Sequence, residues 1–121
     1  MRHVLIVDDS KQIRERLSDL LSESSQICIV GQAGNGREAM DAMQRLSPDT
    51  VILDIRLPGR SGIELLKEIK TQYPEMTVIM LTNYDYPRYR RLCLQLGAES
   101  FLNKTMEIER ILDVVLGSTV V

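Results

Sequence analysis

Between Thr50 and Gly62 the chain reads TVILDIRLPGRSG. Val51, Ile52 and Leu53 form a short apolar run, rich in β-branched residues, that reads as a strand buried on both faces. The run stops on Asp54, and Pro58, Gly59 and Gly62 then turn the chain sharply. Ser61, with Glu64 three residues on, has capping-box spacing, so a helix starts there. Asp54 is thereby set at the carboxyl end of a buried strand. In open α/β sheets that edge is where ligands bind. A lone strand-end aspartate also has a plainer role, accepting hydrogen bonds from its own loop. The ends of the other strands decide between the two.

The same alternation runs through the whole chain. His3–Val7 is a β-branched run closed by Asp8, Asp9 and Ser10; His3 leads into this strand, far from its carboxyl end, and reads as structural. From Lys11 to about Glu23, Ile13, Leu17, Leu20 and Leu21 recur on one helical face. Ile27–Val30 is a second strand, and Gly31–Gly36 a glycine-punctuated loop. Arg37–Leu46 carries Ala39, Met40, Met43 and Leu46 on one face and ends before Pro48. After the Asp54 strand, a helix from Ile63 to about Gln72 stops at Pro74. Thr77–Leu81 is a fourth strand, closed by Thr82. Arg88–Leu96 is a weaker helix, with Tyr89, Leu92, Cys93 and Leu96 inward, Arg88 and Arg91 outward, and Gly97 as its C-cap. Glu99–Leu102 is a fifth strand, closed by Asn103 and Lys104. Thr105 is placed to cap a last helix that runs to about Leu116, striped by Ile108, Ile111, Leu112 and Val115. Five strand–helix units with short connections imply an α/β domain, a parallel sheet with helices on both faces.

Size and charge narrow the class. A chain of 121 residues fits one domain, 1–121, with a real core. Its 15 basic and 17 acidic residues leave a net charge of −2, with no basic excess for nucleic acid or an anionic membrane. No apolar run approaches a membrane span, and the N-terminus lacks a signal-peptide pattern, so a cytoplasmic protein is expected. Cys28, Cys93 and a single histidine make no metal spacing; both cysteines read as buried free thiols.

In a parallel sheet all carboxyl ends lie on one side. The first strand delivers Asp8 and Asp9 there, the third Asp54, the fourth Thr82 and the fifth Lys104. Three carboxylates this close repel one another unless a cation intervenes. Oxygen-only ligands favour a hard ion, Mg²⁺. A carboxylate beside Mg²⁺, a hydroxyl and an ammonium is equipped to accept a phosphoryl group, with the metal and Lys104 taking up charge on the equatorial oxygens.

LIVDDS, AGNGREA, VILDIRLPGRSG, VIMLTN and GAESFLNK, five motifs in this order, resemble the receiver domain of two-component response regulators over nearly the whole chain. The resemblance implies a doubly wound, flavodoxin-like sheet of strand order 2-1-3-4-5. It implies that Asp54 is the phosphoacceptor. Asp9, Asp54 and the main-chain carbonyl of Arg56 would ligate Mg²⁺, with Asp8 reaching the ion through water. Thr82 and Lys104 match the residues that hold the phosphoryl group, and Phe101 matches an aromatic that swings inward on activation. A sensor histidine kinase or phosphotransfer protein would be the donor, and the chain would be a phosphoacceptor rather than an enzyme. Three departures stand out. Asn83 follows the threonine where a small residue is usual. Thr105 follows the lysine where proline is common; a cis bond there would cost about 3 kcal/mol without proline, so a trans bond or a rearranged loop is expected. Arg56 and Tyr84 are bulky beside the site.

The output partner is expected on the face of the fourth helix, fifth strand and last helix. There Phe101 would join Tyr89, Arg88 and Arg91 as an aromatic and arginine surface. The family implication extends to a phosphorylation-dependent dimer. A stand-alone receiver is the favoured reading, because the sequence ends at Val121 on GSTVV, which is not a charged linker. The alternative is the receiver part of a longer DNA-binding transcriptional regulator. A metal-dependent phosphohydrolase is disfavoured, since Asp8 and Asp9 are adjacent and no cap insertion follows. A dinucleotide site lacks its glycine-rich loop after the first strand.

Overall fold

The structure, a computed structural model, describes residues 1–117. The GSTVV end, apart from Gly117, lies outside the described residues. Five strands, β1 (Arg2–Val7), β2 (Ile27–Ala33), β3 (Thr50–Leu53), β4 (Thr77–Thr82) and β5 (Ser100–Asn103), form one parallel sheet in the order β2-β1-β3-β4-β5. Between them run α1 (Lys11–Leu21), α2 (Gly36–Leu46), α3 (Gly62–Gln72) and α4 (Pro87–Gln95). A 3₁₀ turn (Ile108–Arg110) and α5 (Ile111–Leu116) follow β5.

Strand periodicity divides the core in two. Leu5, Val7, Val51, Leu53, Val78, Met80 and Phe101 point to one face and pack on Ala39 and Met43 of α2, Leu66 and Ile69 of α3, and Cys93 of α4. Val4, Ile6, Ile52, Ile79, Leu81 and Leu102 point to the other and meet Leu17 and Leu21 of α1 and Ile111 and Val115 of α5. The central strands are covered on both sides, so their sequences are continuous apolar runs. Each fully buried Leu, Ile or Val contributes roughly 1.5–3 kcal/mol.

Local chemistry starts the helices. Ser10, Asn35 and Ser61 are the N-caps of α1, α2 and α3, accepting from Ile13 N, Glu38 N and Ile63 N. Ser47, in the left-handed region at φ 50°, ends α2 just before Pro48.

Several local expectations are corrected. β2 runs on to Ala33 through Gly31, because its main chain keeps pairing with Leu5, Ile6 and Val7 of β1. Cys28 is exposed, since β2 is an edge strand with a neighbour on one side only; Cys93 is buried. Leu92 is 40% exposed rather than inward. Phe101 is buried: strand alternation turns it onto the α4 side, with the Arg90 guanidinium 5.1 Å from its ring centroid, so it is no surface aromatic. Thr105 caps no helix. Its hydroxyl is bonded to Asn83, and the chain re-enters helix only at Ile108.

Candidate functional site

Register sets the site. Val7 pairs with Leu53, so Asp8 and Asp54 leave the sheet side by side, and Thr82 pairs with Asn103, which places Lys104 one residue further out. The carboxylates of Asp8, Asp9 and Asp54 each offer an oxygen within 4.8 Å of the others. Asp8, Asp54 and Thr82 are buried, and Asp9 is exposed. Lys104 Nζ sits between two of the carboxylates, 2.6 Å from Asp54 Oδ2 and 2.7 Å from Asp8 Oδ2. Thr82 Oγ1 accepts from Tyr84 N at 3.1 Å.

The main chain is held tightly around these groups. Ser10 N donates to Asp8 Oδ1 at 2.9 Å, and Arg56 N to Asp54 Oδ1 at 3.4 Å. Gly62 N donates to Ile55 O at 2.6 Å, and a Cβ on Gly62 would lie 1.9 Å from the Asp54 carbonyl oxygen. Only glycine fits beneath the acidic strand end.

Electrostatics follow from burial and pairing. Burial pushes the Asp8 carboxyl above its usual 3.8, against the hydrogen bonds from Lys104 and Ser10 and the Lys104 charge; the Asp54 charge adds to the rise. Burial also works against the Lys104 ammonium, but its bonds to Asp54 and Asp8 outweigh that and hold it above 10.5. Three carboxylates against one ammonium leave two negative charges at full ionisation. The donors are all oxygen. The set therefore fits a hard divalent cation.

Every site residue expected at this edge is brought there: Asp8, Asp9, Asp54, Thr82 and Lys104. Arg56 flanks them, its guanidinium turned away onto Tyr84. Phe101 is apart, inside the core. Sequence reasoning missed two supports. Arg14 Nη1 donates to the Asp8 main-chain oxygen at 2.6 Å while its Nε donates to Gln32 Oε1 at 3.2 Å, bracing the end of β1. Asn83 and Thr105 bind each other across two loops. Neither contact has a local sequence signal. His3 sits at the opposite end of the sheet, beside Asp49.

A doubly wound parallel sheet with a lysine-bridged acidic cluster at its carboxyl edge defines a class, that of small α/β domains whose all-oxygen cluster fits a hard cation. Within it, the chain belongs to the response regulator receiver domain family, whose description matches residues 4–116. It is 37% identical to Protein CcdB of Bacillus subtilis, over 95% of both chains. It is 39% identical to a response regulatory protein of Vibrio cholerae, covering 92% of this chain and 46% of that one. With the transcriptional regulatory protein LnrK of B. subtilis it shares 34% identity, covering 96% and 53%. The chain thus spans about half the length of the regulators it matches, and nearly all of one shorter relative. Among solved structures it resembles the CheX–CheY–BeF3–Mg complex of Borrelia burgdorferi, with a TM-score of 0.89 and 29% identity over 99% of this chain and 90% of that one. It also resembles the response regulator domain of Thermotoga maritima CheB, at 0.85 and 30%, over 98% and 92%. The fold and the two-component signalling role expected from the sequence are those of this family. No helix among the described residues is long and apolar enough to cross a membrane.

Proposed function

We propose that the chain, read as a single receiver domain over 1–121, receives a phosphoryl group on Asp54 and reports it by a change of surface. One observation carries this reading: Lys104 Nζ bridges Asp54 and Asp8 at 2.6 and 2.7 Å beside the exposed Asp9. Asp54, Asp9 and the Arg56 carbonyl would hold Mg²⁺ with Asp8 in support, and the bound ion supplies charge neutralisation on the phosphoryl oxygens. A carboxylate oxygen of Asp54 attacks phosphorus in line. The bond from phosphorus to the donor breaks, and the donor leaves with that electron pair; a phosphohistidine donor leaves as imidazole. Lys104 holds its ammonium toward the equatorial oxygens, and the Thr82 hydroxyl is placed to donate to the group once formed. The products are an acyl phosphate and free donor, so the protein is consumed as a substrate rather than turning over. A sensor histidine kinase or phosphotransfer protein fits as donor, in the cytoplasm.

Thr82 and Phe101 form the proposed switch. Phe101 neighbours Met80 in the register and Thr82 is two residues further along β4, so a pull on Thr82 reaches the α4 side of the core. The output surface stays on α4, β5 and α5, with exposed Leu94, one turn from the Arg90 that covers Phe101, in place of Phe101 itself. A phosphorylation-dependent dimer would use it. The test of the acceptor is intact mass after incubation with acetyl phosphate and Mg²⁺. Wild type is expected to gain one phosphoryl group. An Asp54→Asn variant labelled to the same yield overturns the assignment.

A second reading concerns the surroundings of this domain. The regulators that are about twice this length place a receiver beside further sequence. Reading the native gene past Val121 decides between a stand-alone receiver and part of a DNA-binding regulator. Family membership favours signalling over the phosphohydrolase alternative.

A further inference from the structure

Thr82 ends β4 and Lys104 directly follows β5, and the side chains that join the two segments lie one residue beyond each. Asn83 follows Thr82, and Thr105 follows Lys104. Asn83 Oδ1 accepts from the Thr105 main-chain N–H at 3.2 Å and from the Thr105 hydroxyl at 2.8 Å. The same N–H is shared with Asn103 Oδ1 at 2.9 Å, and Asn103 Nδ2 donates onward to Asp85 Oδ2 at 2.8 Å. Beneath this, Lys104 N donates to Thr82 O at 2.9 Å. The Lys104 backbone is therefore tied to the last residue of β4 at its own amide, and to the loop after β4 at the next residue.

That matters because lysine is a point charge on a flexible stem. Its ammonium is useful only if the stem starts from a fixed place. Asp54 and Asp8 hold the far end, and the Asn83–Thr105 pair holds the near end. Asn83 and Thr105 are both exposed, so they contribute little to the core.

We infer that Asn83 and Thr105 are a positioning pair: their hydrogen bonds set Lys104 against Thr82 and so tune the rate of phosphoryl transfer to Asp54. This rests on the reading of Asp54 as acceptor. Neither residue touches the carboxylates, and each acts through its chain neighbour.

The test follows phosphorylation by acetyl phosphate with intact mass, over a range of Mg²⁺ concentrations, for Asn83→Ala, Thr105→Val, Thr105→Ser and the double variant Asn83→Ala/Thr105→Val. Asn83→Ala is expected to lower the maximal rate about fivefold, with Thr105→Val slower than wild type by a similar or smaller factor. The double variant should match Asn83→Ala alone, because Asn83→Ala already removes both bonds to Thr105 and leaves Thr105→Val nothing further to break. Thr105→Ser keeps the hydroxyl and should restore the wild-type rate. The half-saturating Mg²⁺ concentration should not move, since no carboxylate is altered. Unchanged rates, effects that multiply in the double variant, or a Thr105→Ser rate as low as that of Thr105→Val would overturn the pair. Failure of the acceptor reading shows separately, as a wild type that gains no phosphoryl group or an Asp54→Asn variant that still does; either result overturns the inference with it.

Discussion

Arg56 Nη1 donates to the Tyr84 hydroxyl at 2.8 Å, and the guanidinium lies 5.1 Å from the centroid of the same ring. The two residues stand two positions past Asp54 and Thr82, so their contact bridges the loops on either side of the proposed acceptor.

Opening that bridge should expose the acyl phosphate to water. An exposed cation–π contact is worth about 0.5–1 kcal/mol, so its loss changes the open population about two- to fivefold. Arg56→Ala and Tyr84→Ala are each expected to shorten the phosphoryl half-life by about that factor. The measurement is decay of the phosphorylated mass after removal of the donor. A half-life that is unchanged or longer in both variants excludes a shielding role.

The buried carboxylate of Asp8 should make the cation-free protein less stable at neutral pH. Its folded-state pKa is raised by burial, so its contribution is favourable below 3.8 and is lost as pH rises through the folded value. Asp8→Asn, which leaves Lys104 paired with Asp54, is expected to raise stability at pH 7 in chelator, the gain shrinking toward pH 4. Mg²⁺ at ten times its dissociation constant should add about 1.4 kcal/mol to wild type and much less to Asp9→Asn. Urea unfolding across pH, with chelator and with Mg²⁺, reads both; a lower urea midpoint for Asp8→Asn at pH 7 would show that its hydrogen bonds outweigh its burial.

Lys104 carries the opposite sign. Its pKa is raised, so its stabilisation is full below 10.5 and falls as pH climbs through the folded value. Lys104→Met leaves Asp8 and Asp54 without their shared cation and is expected to cost about 3 kcal/mol. Mg²⁺ should recover part of that loss. The check is the same urea series, where a variant as stable as wild type in chelator would refute the pairing.

The two cysteines should separate cleanly. Burial pushes the Cys93 thiol up to about 11, while Cys28 stands exposed on the edge strand. A disulfide reagent at pH 8 is expected to label one thiol in the native protein and two in denaturant. Peptide mapping that finds Cys93 modified first would contradict the burial.

Gly62 and Gly36 test close packing from two directions. A Cβ at Gly62 meets backbone that cannot yield, so Gly62→Ala is expected to cost at least about 3 kcal/mol. At Gly36 the nearest atom is Cδ of the flexible Arg60 side chain at 2.7 Å, so Gly36→Ala should cost less than about 1 kcal/mol. Equal losses in thermal unfolding would refute this contrast.

The parallel sheet, its helices and the arrival of Asp8, Asp9, Asp54, Thr82 and Lys104 at one edge were legible from the chain alone. The reason is physical. Strand and helix periods are local, and a parallel sheet of short crossovers sends every carboxyl end the same way. Those two facts need no knowledge of which strand neighbours which.

What depended on neighbours was decided only in three dimensions. Cys28 is exposed because β2 is an edge, and Leu92 because no described residue covers that side of α4. Phe101 is buried by the face its position on β5 selects. Lys104 between Asp54 and Asp8, Arg14 on the Asp8 carbonyl, and Asn83 on Thr105 each join segments far apart in the chain. Such contacts leave no period in the sequence. Side-chain reach and strand register create them, and both exist only once the sheet has formed.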